Sequence, residues 1–129
     1  MSGFTDYLED ALLKHVFTNT AYTSPTTVYA ALFTVAPSDT GGGTEVSGGA
    51  YARQSITFSV SGTSTLATNS ASVEYPTATA DYGTVVAVGI FDASTSGNLL
   101  AYANLTTSKT VSTGDVFRFN AGDVDITLT

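Results

Sequence analysis

Eight consecutive residues, Val28–Val35 (VYAALFTV), are apolar at almost every position. A strand that is apolar on both faces belongs in the middle of a core, with protein above and below it. A second such run, residues 85–91 (VVAVGIF), recurs later in the chain and is expected to be the second central strand. Gly89 inside it fits a bulge or a close approach by neighbouring backbone. Residues 50–58, by contrast, alternate apolar and polar side chains around Ile56 and Phe58. That pattern puts one face on the core and the other in water.

The connection between the first run and the alternating stretch holds glycines at 41, 42, 43, 48 and 49. Glycine permits positive φ and close backbone approach, and loops longer than about 12 residues within compact domains are usually functional. Gly41, Gly42, Gly43 and Glu45 in this loop, with Tyr51 and Arg53 just after it, form a candidate surface for contact with a partner. Arg53 would share a face with Tyr51; stacking or a carboxylate bridge to Glu45 is the structural reading, and contact with a partner subunit is the functional one. The loop is not a nucleotide site. GGGTEVSGG lacks the Gly-Lys-Ser/Thr ending of a phosphate loop, and strands rather than a helix N-terminus flank it.

Ahead of Pro25 the period changes. Phe4, Leu8, Leu12 and Val16, with Ala11 and Leu13 beside them, recur every three to four residues, which predicts an amphipathic helix over residues 4–17. Ser2 or Thr5 is the expected N-cap, Asp6, Glu9 and Asp10 lie towards the positive end of the dipole, and Lys14 and His15 towards the negative end. After Pro25 strands are predicted at 27–35, 50–60, 71–75, 84–92, 98–104, 115–120 and 124–128, with residues 61–70 and 106–113 as loops. The pattern leaves open which face of residues 116–119 is buried. The expected fold class is mainly β, a two-layer antiparallel β-sandwich of about seven strands with one N-terminal amphipathic helix. Residues 1–129 are expected to make a single domain, with a helical arm at 1–20 and the sandwich at 26–129.

Composition narrows the function. Charged residues are 12% of the chain, against roughly 25% in average soluble domains. Four Lys and Arg stand against eleven Asp and Glu, for a net charge of −7. The four cations, Lys14, Arg53, Lys109 and Arg118, are scattered, which argues against nucleic acid as a partner. With no cysteine, disulfides and thiolate metal sites are excluded. No run approaches the roughly 18 apolar residues of a membrane helix, and the start lacks the basic n-region of an export signal. A soluble protein made in the cytoplasm, without membrane or cofactor, is therefore expected. His15 is the only histidine, and its place beside Lys14 at a helix C-terminus accounts for it without catalysis. Asp39 with Glu45, or Asp115, Asp123 and Asp125, could supply oxygen ligands to calcium, but neither group has EF-hand spacing. No metal site is assigned.

One set of motifs carries a resemblance. The run from Val28 through Thr34-Val35-Ala36-Pro37-Ser38-Asp39-Thr40-Gly41, the segment Glu45-Val46-Ser47-Gly48-Gly49-Ala50-Tyr51-Ala52-Arg53-Gln54, then Val88-Gly89-Ile90-Phe91-Asp92-Ala93 and Gly97-Asn98-Leu99-Leu100, resembles a group of short tailed-bacteriophage virion proteins. Its members are commonly labelled tail-fibre-like or minor structural proteins. The resemblance implies a non-enzymatic virion protein whose partners are the major capsid protein or tail proteins, acting as a homo-oligomer or in many copies. The chain shows no shaft repeats and no coiled coil. The expected role is accordingly capsid decoration, a cement protein on the assembled shell. The alternative is a tail-fibre-like or tail-tip attachment module. A carbohydrate-active enzyme or a calcium-binding module is a more distant alternative.

Overall fold

In the computed structural model, which describes residues 3–62 and 65–127, the two apolar runs lie side by side. The elements in chain order are β1 (Gly3–Phe4), α1 (Asp6–Phe17), β2 (Val28–Val35), β3 (Thr44–Glu45), β4 (Gln54–Ile56), β5 (Phe58–Ser59), β6 (Leu66–Asn69), β7 (Val73–Glu74), β8 (Gly83–Phe91), β9 (Leu99–Val111), β10 (Arg118–Phe119) and β11 (Asp125–Thr127). β2 pairs antiparallel with β8 from Tyr29↔Phe91 to Phe33↔Ala87. β9 flanks β8, and β1 flanks β9, giving a sheet in the order β1-β9-β8-β2-β3. The second edge of β2 is shared: β4 takes residues 28–30, and β3 pairs with Phe33 and Val35.

Both faces of the central pair β2–β8 carry buried residues, as a strand apolar on both sides demands. On one face Ala30, Leu32, Val88, Ile90 and Ala101 join a core to which the small sheets β7–β10 and β5–β6–β11 contribute Val73, Phe119, Phe58 and Ile126. The fold is thus a mainly β, antiparallel sandwich with an N-terminal helix. On the opposite face Ala31, Phe33 and Ala87 form a second, smaller cluster with Val86 and Phe91. A register shift between Val85 and Ala87 sets the phase of β8. It lets Val85 and Val88, three residues apart, point into the same main core. Gly89 is closely approached by side chains rather than by the neighbouring backbone expected: a Cβ there would sit 2.6 Å from the Phe33 ring and 2.8 Å from the Leu99 side chain.

Several boundaries differ from the sequence reading. The helix starts at Asp6 because Phe4 belongs to a strand pair with Ala101. Thr5 caps it: the buried hydroxyl donates to Leu99 O at 2.6 Å and accepts the Leu8 amide at 3.4 Å; Ser2 lies outside the described residues. Leu8, Ala11 and Leu12 are half-buried, but Leu13, Val16 and Phe17 are 58, 64 and 78% exposed. Val16 therefore leaves the predicted inward stripe. Residues 66–69, expected as loop, are β6, and β9 runs on to Val111 through residues expected as loop. Predicted strand 50–60 shrinks to β4 and β5, with Val60 exposed. Of residues 116–119, Phe117 and Phe119 face inward and Val116 and Arg118 outward. Residue 128 of the last predicted strand is outside the described residues. Eleven strands, rather than about seven, occur among the described residues, because short pairings break the longer runs.

Candidate functional site

The glycine loop folds back so that three of its predicted interface residues meet at one carboxylate. Glu45, on β3 at the end of the loop, accepts the Tyr51 hydroxyl at 2.7 Å and Arg53 Nε at 2.9 Å on Oε2, and Arg53 Nη2 at 2.9 Å on Oε1. This is a two-point guanidinium–carboxylate fork, the strongest geometry for such a pair. The other arginine nitrogen, Nη1, donates to Ala93 O at 3.0 Å and Ser96 O at 2.7 Å. The guanidinium carbon also lies 3.6 Å from the centroid of the Phe91 ring, which in turn stacks on Phe33. Arg53 thereby joins β3, the approach to β4 and the β8–β9 hairpin. Its side chain is only 9% exposed.

Tyr51 completes the arrangement from the core side. Its oxygen accepts the Leu32 amide at 3.0 Å, in the gap that β3 and β4 leave along the edge of β2. Its ring stacks on Tyr75 and meets Tyr82 edge-on, while the Tyr75 hydroxyl donates to Ala30 O at 2.7 Å. Burial, reinforced by the hydrogen bond to Glu45, holds the Tyr51 phenol far above its ordinary range, and burial does the same for Tyr75. Both stay protonated donors at neutral pH.

The other predicted residues lie apart from this cluster. Gly41 lines a separate groove with Thr5, Asp6, Asp39 and Asn98. Around Gly41 and Gly42 an added Cβ would meet only open space, whereas at Gly43, with φ of +74°, it would strike Val35 O at 2.6 Å. Of these three, Gly43 alone is fixed by both space and conformation. Asp39 accepts the Tyr102 hydroxyl at 2.6 Å and, through its carbonyl, the Asp6 amide, tying the loop to β9 and α1. That hydrogen bond, first, and burial raise the Tyr102 phenol as well.

Asp115 and Asp123 accept the amides of Ser112 and Asn120, and among the described residues no three metal-ligating side chains converge. His15, exposed in the last turn of α1, accepts the Tyr22 amide on Nδ1 at 3.1 Å. Sequence reasoning missed the hairpin carbonyls of Ala93 and Ser96, the Phe91 ring and the buried Asn69. The Asn69 side chain satisfies Ala71 O, Asn120 O and the Val124 amide. Of these only Phe91 carried a signal, as an aromatic at the end of an apolar run.

The arrangement is thus one of internal bracing, which leaves a groove of about 560 Å³ rimmed by Ser47, Gly48, Ala52 and residues 94–96. The comparison with curated proteins finds no match. A family model described as Podophage GP4 fiber I protein gp80 matches residues 3–127, nearly the whole chain and every residue of the Glu45–Arg53 cluster. The chain belongs to this podophage fibre family and is a structural component of a short-tailed phage virion.

Proposed function

We propose that the chain is a compact, non-enzymatic attachment module of the tail-fibre apparatus, not a decoration of the capsid shell. The observation that carries this reading is the fibre-family match over residues 3–127, which favours the tail alternative over the cement role expected from compactness alone. The braced loop supports it physically. A joint between virion proteins needs a surface already rigid before contact, because ordering side chains on binding is unfavourable, and Arg53 holds this one from three sides. The contact surface is the loop face bearing Gly41, Gly42 and Gly43 together with the separate groove that Glu45, Tyr51 and Arg53 line. Tail proteins are its partners. The engagement of His15 and Asp39 in backbone and phenol hydrogen bonds supports a role without catalysis.

The test is location. Gold-labelled antibody against this chain, viewed on purified virions and followed by density mapping, should mark the tail. Label spread over the shell at lattice positions would restore the decoration reading, and a particle without the protein would sink both.

A further inference from the structure

The outward face of α1 has no covering element among the described residues, and its chemistry changes along its length. A helical period of 3.6 residues places Asp6, Glu9 and Asp10 on the same side as Leu13, Val16 and Phe17, and all six are exposed. The face is acidic over its first turns and apolar over its last. Such a face does not match itself: a parallel pairing opposes carboxylates, and an antiparallel one sets each apolar end against the other copy's acids.

A matching surface lies elsewhere on the same chain. A groove of about 600 Å³ runs between β9 and β10. β1 covers β9 only at Ala101 and Tyr102, and β10 pairs only with β7, so strand edges flank the groove among the described residues. Its apolar lining is Leu105, Val111, Val116, Phe117 and Phe119, with Val116 47% exposed. Two of the four cations of the chain, Lys109 and Arg118, line it. The other two are engaged, Lys14 with Asp10 and Arg53 with Glu45. Arg118 reaches Glu74 only at 3.9 Å with both side chains exposed, and Lys109 has no ion pair among the described residues. The carboxylates of Asp115 and Asp123, at the same groove, already accept backbone amides.

On this match of charge and apolar surface we propose that α1 of one copy seats in the β9–β10 groove of the next, acids towards Lys109 and Arg118 and Leu13, Val16 and Phe17 against the apolar lining. The contact is head-to-tail, so it builds closed rings or open chains of copies rather than two-fold dimers.

Two variants expose the proposal. Leu13→Ser with Phe17→Ser removes the ridge and leaves the groove; Lys109→Glu with Arg118→Gln removes the groove charges and leaves the ridge. All four side chains are exposed, so circular dichroism and melting should match wild type. By sedimentation velocity at about 100 µM, wild type should be oligomeric, and each variant should associate at least about tenfold more weakly. Mixing the two variants restores one intact contact and should give a one-to-one dimer and nothing larger. Salt raised from about 50 to 500 mM should loosen the wild-type oligomer. Should either double variant misfold, Val16→Thr and Lys109→Gln singly give the same reading. A monomeric wild type, an oligomer indifferent to both variants, or a mixture without dimer would overturn the proposal.

Discussion

At the scale of the residue, Arg53 is the side chain through which the loop, the edge of β2 and the β8–β9 hairpin are held together. Arg53→Ala leaves Glu45 half-enclosed without its cation and frees two hairpin carbonyls. It should lower the unfolding free energy by about 2–4 kcal/mol in urea titration, below the full range for wholly buried pairs because Glu45 keeps some contact with water. Glu45→Ala with Arg53→Ala should lose clearly less than the sum of the single changes, since the two share one interaction. Additive losses would show that the fork contributes little. The Glu45–Arg53 bridge is legible in the sequence from spacing and charge. Its other half is not, because backbone carbonyls of a distant hairpin carry no residue signature and meet the guanidinium only once β8 and β9 have paired.

At the scale of the element, the central strands are legible and the peripheral ones are not. β2 and β8 announce themselves because burial on both faces demands unbroken apolar side chains. β6 does not, since Leu66–Asn69 owes its strand geometry to pairing with β11 and to the Asn69 bonds to Asn120 O and the Val124 amide, both long-range. The end of β9 is Thr, Ser and Lys at an edge, a composition that reads equally as loop, although β-branched threonine suits a strand. The predicted alternation of 50–60 fails at Val60 because β5 ends at Ser59. One prediction belongs here: Gly89→Ala should destabilise by about 1–3 kcal/mol through overpacking against Phe33 and Leu99, measured by thermal unfolding. A wild-type melting temperature would mean that the second face of the sheet is loosely packed.

At the scale of the whole molecule, stability should bend with alkaline pH. Tyr51, Tyr75 and Tyr102 all bind their protons more tightly in the folded chain than the ordinary value of 10. Below that value neither state releases them, so these groups leave stability unchanged; above it the unfolded chain loses protons that the folded chain retains, and stability falls as pH rises. Melting temperature followed from pH 8 upward, beside tyrosinate absorbance, should decline only beyond about pH 10, and a decline already at pH 8 would need another group. The strand order β1-β9-β8-β2 has a further consequence, in time. During synthesis the most apolar strand of the chain emerges early, yet its partner β8 follows only after more than forty intervening residues, a delay of seconds at about 5–20 residues per second. Through that interval β3 and β4 are, among the described residues, the only partners of β2 already made, and they lie along one edge. The opposite edge of VYAALFTV stays bare until β8 arrives, which makes the half-made chain, rather than the finished one, the form most open to edge-to-edge pairing with another copy.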